Sequence, residues 1–380
     1  MEDTIHRGLD GVNIDTSEIS SIDGQKGELV YRGYDIRELA DEASFEEVTY
    51  LLWNDDLPTE SQLSEFKEQI ASHVGIPDEV CDMLGRLPEG IHPMHAVRTA
   101  ISLLGALDKE ADSVEPENVH RIGLRLMAQF PTIVAAYNRL RDGKDVIQPD
   151  PGLSIAENFL YTLNGEKPTD AAARVMDVAL VLHAEHGSNA SAFVARATAS
   201  SLADVYGAIT AAVASLKGRL HGGANTAVMN ALEEIGSVDG VEDYVMNILG
   251  QDKGRVMGFG HRVYRVLDPR AVILKKVSHQ LAEESGDSKW FEMSLKMEEV
   301  MEREMDKKGK QVRPNVDFFS ASVYRMLGFP ADMYTPIFAV ARISGWMAHL
   351  YEQYDDNRLM RPRLVYEGPK GKTFTPLGER

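Results

Sequence analysis

Three histidines stand beside glycines at positions typical of helix ends. His186-Gly-Ser-Asn189 follows an apolar helical run, His221-Gly-Gly-Ala-Asn225 precedes another, and Gly258-Phe-Gly260-His261 closes a glycine-rich loop. Glycine leaves neighbouring backbone groups open to a ligand, and a helix start presents free N–H groups. We therefore predict that His186, His221 and His261 share a ligand site. The alternative is three loop histidines with no common role.

His221 has the position for a specific chemical role. It lies just before a predicted helix start, where the helix dipole and the free N–H groups disfavour an imidazolium. A neutral imidazole there can donate a hydrogen bond to a carbonyl oxygen. Such a donor polarises a ketone or a thioester while a nearby base removes a proton.

Two arginines stand where a cation needs an anionic partner. Arg342 lies in a predicted helix that is apolar on nearly every side, and burying an unpartnered guanidinium is unfavourable by several kcal/mol. Arg270 lies in the first turn after Asp268-Pro269, where the helix dipole disfavours a cation. A small dicarboxylate would satisfy both arginines through forked hydrogen bonds. An internal salt bridge explains Arg342 equally well.

Asp317 is the candidate base. It stands in Pro314-Asn-Val-Asp317-Phe-Phe319, a carboxylate between apolar residues at a predicted helix start. A helix start lowers the pKa of a carboxyl and burial raises it, so the pattern leaves the direction of the shift open. A structural helix-capping aspartate is the alternative.

Other site templates fail. The chain has no phosphate-binding loop, and Gly258-Phe-Gly260 lacks the third glycine of a dinucleotide fingerprint. His183-Ala-Glu-His186 and His92-Pro-Met-His95 have a spacing that can bind metal, but neither is a His-Glu-x-x-His zinc motif. We predict a site with no metal and no cofactor.

Helices must position these residues, because helix starts and stops are frequent and strand patterns are scarce. Thr169-Asp170, Asp204 and Asn225-Thr226 open apolar runs that close near Gly187, Gly218 and Gly236, and Asp268-Pro269 and Thr335-Pro336 each predict a cap followed by proline. Only residues 24–34 and 255–264 look extended. The fold class is predicted to be all-α with little strand.

The bulk composition limits the functional classes. The chain has 380 residues, 43% of them apolar, a single cysteine (Cys81), a start unlike a secretory signal and no apolar run long enough to span a bilayer, which predicts a cytoplasmic protein. Its net charge of −19 makes nucleic acid and membranes poor partners. Solubility explains this charge, and adaptation to concentrated salt is a second hypothesis, which undiminished stability in dilute buffer would contradict.

Taken together, these segments resemble the citrate synthase family nearly end to end. The opening Ile22-Asp-Gly-Gln-Lys-Gly-Glu-Leu-Val-Tyr-Arg-Gly-Tyr-Asp35 is similar to that of the family. His221-Gly-Gly-Ala-Asn225, Gly258-Phe-Gly-His-Arg-Val-Tyr264 with Asp268-Pro-Arg270, and Pro314-Asn-Val-Asp317 match its three catalytic segments in order.

The resemblance implies condensation of acetyl-CoA with oxaloacetate, followed by hydrolysis of citryl-CoA to citrate and CoA. It implies that Asp317 is the base, that His221 donates to the thioester oxygen, and that His261 donates to the ketone oxygen. Oxaloacetate would be held by His186, Arg270, Arg342 and, from the second subunit of a homodimer, Arg361.

The resemblance also implies a large helical domain (residues 1–221 and 329–380) with a smaller inserted helical domain (222–328) on the CoA side. CoA would contact a loop and nearby cations: Arg255, Val256, Met257, Gly258, Phe259, Gly260 and Arg265. Lys253 and Lys310 are further candidates, for which solvated surface charge is the alternative.

Three rival functions remain open. 2-Methylcitrate synthase shares the catalytic residues and uses propionyl-CoA, one methylene larger. A metal-dependent hydrolase could use the histidines with Asp317. A helical interaction scaffold without chemistry is the third, although the chain has no internal repeat of the kind that marks solenoids.

Overall fold

The computed structural model describes residues 5–9, 11–252, 254–261 and 263–380. Within these residues the chain forms sixteen α-helices and one small three-stranded sheet. The all-α prediction is confirmed.

Most helices follow one another with short connections, and the longest ones are residues 142–154 and the loop of residues 251–268, which carries His261. The helices are α1 (Ile36–Glu42), α2 (Phe45–Asn54), α3 (Glu60–Ala71), α4 (Asp78–Gly85), α5 (Pro93–Leu107), α6 (Pro116–Arg141), α7 (Ile155–Asn164), α8 (Asp170–His183), α9 (Ala190–Ala199), α10 (Val205–Leu216), α11 (Ala224–Ile235), α12 (Val241–Gly250), α13 (Pro269–Ser285), α14 (Lys289–Lys307), α15 (Val316–Met326) and α16 (Tyr334–Asp355).

Several predicted cap residues begin their helices. The side chains of Thr169, Asp204 and Asp268 accept backbone N–H groups in the first turns of α8, α10 and α13. The Thr335-Pro336 prediction is wrong, because α16 already begins at Tyr334. The Thr335 hydroxyl instead donates to the carbonyl of Gly222, 2.8 Å away, and so ties α16 to the segment that carries His221.

The sheet accounts for one of the two predicted extended segments. Strands β1 (Ser20–Asp23), β2 (Glu28–Tyr31) and β3 (Tyr34–Asp35) form an antiparallel sheet in the order β1-β2-β3. The prediction for residues 255–264 is wrong. The described part of that segment has only an isolated bridge between Phe259 and Pro314, because it is a loop that pairs with the residues before α15.

Helix α16 runs through the core. It packs against α2, α6, α8 and α9, and both Trp346 and Arg342 on it are almost wholly buried. Helix α15 packs against α11, α13 and α14, and α13 also contacts α1 and α8. The division into two domains at 222–328 stays a prediction. No helix among the described residues combines the length and apolar character that crossing a membrane requires.

Candidate active site

His186 and His261 face each other beside Tyr264. Their ring centroids are 5.4 Å apart, and the Tyr264 ring lies 5.7 Å from His186 and 4.8 Å from His261. The Tyr264 hydroxyl is 3.3 Å from Nε2 of His186. The end of α8 and the loop before α13 therefore bring two of the three glycine-flanked histidines together.

The backbone fixes the tautomer of His261. Its Nδ1 accepts the N–H groups of Val263 and Tyr264 at 3.0 and 3.1 Å. A backbone N–H can only donate, so in the neutral ring the proton must lie on Nε2. Burial, with a further contribution from the Arg270 charge, lowers the pKa of His261 to about 4. The ring is therefore a neutral donor through Nε2 at neutral pH.

His221 has the opposite arrangement. Its Nε2 accepts the backbone N–H of Ser191 at 3.2 Å and lies 2.8 Å from the Ser191 hydroxyl, so the proton of the neutral ring lies on Nδ1. Burial and then the Arg342 charge lower the pKa of His221 to about 4. The predicted neutral imidazole agrees with this direction. Burial and the Arg342 charge are contributions that the position before a helix start does not by itself predict.

The anion beside Arg270 is Asp268, the N-cap residue of the helix that Arg270 belongs to. The Asp268 carboxylate accepts hydrogen bonds from Nε of Arg270 at 3.0 Å and from Nη2 at 2.8 Å, and both side chains are buried. Burial opposes ionisation of both groups. Even so, the Arg270 charge holds the pKa of Asp268 below its usual value, and the Asp268 charge holds the pKa of Arg270 above its usual value. Within the described part of the chain, Nη1 of Arg270 has no hydrogen-bond partner and remains a donor for a second anion.

Arg342 has no salt bridge to any described residue. It is 1% exposed, its Nε donates to the carbonyl of His183 at 2.7 Å, and its guanidinium lies 4.6 Å from the centre of the Phe338 ring. Burial lowers the pKa of Arg342 to about 10, although the charge of Glu185 opposes the shift. The internal salt bridge is therefore wrong among these residues. The guanidinium makes no ion-pair contact with a described carboxylate, so it can bind an external one.

Asp317 is not a helix cap. Asn315 caps α15 by accepting the N–H of Asp317, whereas the Asp317 carboxylate accepts no hydrogen bond from a described residue. Burial raises the pKa of Asp317 to about 6, against the opposing charges of Arg270 and Arg342. An uncapped, unpaired carboxylate with this pKa is suited to proton abstraction near neutral pH.

The segments carrying His261 and Asp317 are fastened to each other. The N–H of Asn315 donates to Gly258, its side-chain amide donates to Gly260, and the N–H of Gly260 donates to Arg313, each at 2.9 Å. The candidate base Asp317 and the neutral imidazole of His261 therefore belong to one backbone unit. His221 joins the site through Ser191, whose hydroxyl accepts Nε1–H of Trp346, one turn from Arg342.

Comparison with known proteins decides the family. The family described as "Citrate synthase, C-terminal domain" matches residues 8–363. Citrate synthase 2 of Bacillus subtilis is 50% identical over 378 residues, covering 99% of this chain and 100% of the relative. Citrate synthase of Haloferax volcanii is 49% identical over 387 residues, covering 100% of both chains.

The chain belongs to the citrate synthase family. It is an enzyme, an acyltransferase of that family. Citrate synthase of Pyrobaculum aerophilum has the same fold, with a TM-score of 0.91, 38% identity and coverage of 99% of this chain and 95% of that one. A ternary complex of Thermoplasma acidophilum citrate synthase with carboxymethyl coenzyme A and oxaloacetate also has a TM-score of 0.91, at 34% identity and 99% and 100% coverage. Two 2-methylcitrate synthases of Corynebacterium glutamicum are each 39% identical over 381 residues, so family membership leaves the acyl substrate open.

The CoA candidates of this citrate synthase family member lie in two environments. Val256, Gly258 and Phe259 are buried, and the ring of Phe259 packs at a tilt against that of Phe318, with centroids 4.6 Å apart. At Gly258, with φ of +80°, a Cβ atom would come within 2.7 Å of Val228, so only glycine fits. The exposed candidates are Arg255, Met257, Gly260, Arg265 and Lys310. Lys253 lies outside the described residues.

Arg361 is not part of the site within its own chain. It lies exposed in an extended tail after α16 and makes no hydrogen bond to a described residue. The other predicted oxaloacetate residues are brought together, whereas this one is not. A role for Arg361 would require a second chain.

Sequence reasoning missed Glu185, the residue before His186. Glu185 is completely buried, and its Oε1 accepts from the Ser20 hydroxyl at 3.0 Å and from Nε2 of His349 at 3.2 Å. Although burial opposes ionisation, His349 and Arg342 hold the pKa of the Glu185 carboxyl below its usual value. Its negative charge partly compensates Arg342. His183-Ala-Glu-His186 contained this signal but was considered only as a metal spacing.

Proposed function

We propose that this enzyme condenses acetyl-CoA with oxaloacetate and hydrolyses the resulting citryl-CoA to citrate and CoA. One observation carries the proposal. The charges of Arg270 and Arg342 both act on an unpaired carboxylate whose pKa is raised to about 6, and one of these charges acts on each of two neutral imidazoles, which present opposite ring nitrogens as donors. A Claisen-type condensation needs one base and two donors for developing oxyanions.

The proposed first step makes the nucleophile. The Asp317 carboxylate removes a proton from the methyl carbon of acetyl-CoA, and the electron pair of that C–H bond moves toward the thioester oxygen. Nδ1–H of His221 donates a hydrogen bond to this oxygen and stabilises the resulting enolate. A neutral donor suits the step, because its hydrogen bond strengthens as negative charge develops on the oxygen.

The proposed second step forms the carbon–carbon bond. The enolate carbon attacks the ketone carbon of oxaloacetate while Nε2–H of His261 donates a hydrogen bond to the ketone oxygen. This oxygen then takes up the proton that Asp317 removed and becomes the hydroxyl of citryl-CoA, which restores the Asp317 carboxylate. Water then adds to the thioester, the carbon–sulfur bond breaks, and citrate and the CoA thiol leave. Positioning and hydrogen bonding supply the activation in this scheme.

Oxaloacetate is expected to supply the anion that the arginines lack. The guanidinium of Arg342 has no carboxylate partner among the described residues, and Arg270 keeps one nitrogen free beyond its pairing with Asp268. His186 lies beside His261 at the same place, and the charges of both arginines reach it. Two carboxylates bound by forked hydrogen bonds would leave the ketone facing His261.

The acyl preference is tested by CoA-thiol release with acetyl-CoA and propionyl-CoA at the same oxaloacetate concentration. We expect kcat/KM to be higher for acetyl-CoA, by about tenfold or more, because one methylene changes transition-state binding by about 1–3 kcal/mol. Asp317→Asn is the control, since it should slow thiol release from both substrates to a similarly large extent if both react at this site. A preference for propionyl-CoA would instead assign 2-methylcitrate synthesis.

The same assay separates a different class of enzyme. Thiol release that does not depend on oxaloacetate would indicate plain thioester hydrolysis. Activity that a chelator abolishes and zinc restores would favour the metal-dependent hydrolase.

A homodimer in which Arg361 completes the partner's oxaloacetate site is part of the proposal. The tail that carries Arg361 exposes apolar side chains that a second copy could cover, including Leu364 (97% exposed), Phe374 (79%) and Leu377 (81%). A C2 dimer would place each tail on the other subunit in the same way.

Mixing two inactive variants tests this arrangement. Arg361→Ala and Asp317→Asn chains, unfolded and refolded together, should recover about a quarter of wild-type activity, because half the dimers would contain one intact site. Each variant refolded alone is the control. If Arg361 served its own chain, every site in the mixture would lack one residue and activity would stay at the level of the separate variants.

A further inference from the structure

The turn between β1 and β2 lies directly against the loop that carries His261. The carbonyl of Gly24 accepts the N–H of Arg265 at 2.8 Å. A Cβ atom on Gly24 would lie 2.3 Å from the carbonyl oxygen of Val263, and one on Gly27 would lie 2.9 Å from that of Leu267. These neighbours are backbone atoms, so neither position can hold a larger residue unless the loop moves.

The loop residues that contact the turn also fix the position and the tautomer of the His261 ring. Val263 presents its carbonyl to Gly24, and its N–H donates to Nδ1 of His261. The N–H of Tyr264, the next residue, donates to the same nitrogen. A shift of this backbone would therefore change both the position of the imidazole and the bonds that keep its proton on Nε2.

The turn is itself firmly held. The Asp23 carboxylate accepts the N–H groups of Gln25 and Lys26 at 2.9 and 3.0 Å. The carbonyl of Gly27 accepts Nη2 of Arg37 at 2.9 Å, and Arg37 is held in turn by Asp35. The turn is therefore held in place by Arg37 of α1. Because it cannot move freely, it limits the movement of the loop that packs against it at Gly24.

We propose that the Asp23–Gly27 turn is a positioning element for His261, with Gly24 as its contact residue. The turn holds the backbone of residues 263–265, and this backbone directs Nε2–H of His261 toward the ketone. The inference rests on the proposed function, in which His261 is the ketone donor. It gives a mechanical role to the Ile22-Asp-Gly-Gln-Lys-Gly segment, which no catalytic step uses.

Gly24→Ala tests the role without adding backbone strain, because Gly24 does not have a positive φ. We expect kcat to fall by about 10²-fold, the effect of a displacement of about 1 Å in a catalytic group. Oxaloacetate binding, measured by titration calorimetry, should change by less than about threefold, since Arg270 and Arg342 lie outside the turn contact. In a His261→Ala background Gly24→Ala should cause no further loss, because residues acting through one group are not additive.

A matched pair separates positioning from general destabilisation. Gly27 and Gly33 both have positive φ (+68° and +93°), but a Cβ atom on Gly33 meets nothing within 4 Å. Gly27→Ala and Gly33→Ala therefore share the conformational strain, and only Gly27→Ala should lower kcat. This pair decides the question if Gly24→Ala does not fold.

The outcomes are distinguishable. Full turnover in both Gly24→Ala and Gly27→Ala, with His261→Ala inactive, would overturn the positioning role and leave the proposed function intact. Additive losses in Gly24→Ala/His261→Ala would overturn action through His261. Unchanged turnover in His261→Ala itself would contradict the proposed role of His261 as ketone donor, and with it the positioning role of the turn.

Discussion

Asp317→Asn is expected to lower kcat by on the order of 10²–10⁴-fold, the contribution of a positioned general base. The amide has nearly the same shape as the carboxylate but cannot accept a proton. Because the Asp317 carboxylate accepts no hydrogen bond from a described residue, the substitution breaks no internal contact of that group. Stopped-flow or steady-state thiol release measures the effect, and oxaloacetate binding should persist.

The pH dependence of the wild type gives an independent test of the same residue. The pKa of Asp317 is raised to about 6, whereas His221 and His261 have pKa values lowered to about 4. As pH falls, Asp317 becomes protonated first, so kcat/KM should decline below about pH 6 while both imidazoles are still neutral. The residual activity of Asp317→Asn should lack this decline.

The variant should also be at least as stable as the wild type at pH 7. An acid whose pKa is raised in the folded state binds its proton more tightly there, so folding stability falls as pH rises from about 4 through 6. At pH 7 the folded protein therefore holds an ionised carboxylate at a disadvantage that Asn removes. Thermal unfolding at pH 7 measures this.

Asp177 provides a matched control for the base. Burial also raises the pKa of Asp177, to about 7, but its carboxylate accepts the N–H of Phe45 and Nη1 of Arg174. The charges that act on it are those of Glu46 and Arg174, and not those of Arg270 and Arg342. Asp177→Asn should keep kcat within a few-fold. If Asp317→Asn retained wild-type turnover and the decline near pH 6, Asp317 could not be the base.

The sequence predicted which segments meet but not how their groups are paired. Each candidate segment is a short run of consecutive residues, so each could be recognised by itself: His221-Gly-Gly, Gly-Phe-Gly-His261 and Asn-Val-Asp317. The counter-ion of Arg270 was present as Asp268, but its role as a helix cap concealed its second role as an ion-pair partner.

Quantities that depend on distant residues could not be predicted. The direction of the Asp317 pKa shift is set by burial among other helices, and the carbonyl that satisfies Nε of Arg342 comes from His183, 159 positions away. Thr335 has the sequence signature of a cap, yet its hydroxyl bonds to Gly222 because the helix begins at Tyr334, two residues before Pro336. Tertiary contacts decided each of these cases.

The two imidazoles that we propose as oxyanion donors are expected to prefer different amide replacements. The donor is Nδ1 in His221 and Nε2 in His261, because the other nitrogen of each ring accepts a backbone N–H. Asparagine places its amide nitrogen near the position of a histidine Nδ1, and glutamine places it near Nε2. Asn should therefore retain more activity than Gln at position 221, and Gln more than Asn at position 261.

The alanine variants set the scale for this comparison. His221→Ala and His261→Ala should each lower kcat by about 10²–10³-fold, the loss that follows removal of one donor to a developing oxyanion. Oxaloacetate affinity should change little, because Arg270 and Arg342 remain. The same preference for Asn or for Gln at both positions would contradict the tautomers assigned from Ser191, Val263 and Tyr264. Unchanged turnover in either alanine variant would remove that imidazole from the mechanism. A preference for Asn at position 221 and for Gln at position 261 has one simple explanation: two neutral imidazoles that donate through different ring nitrogens.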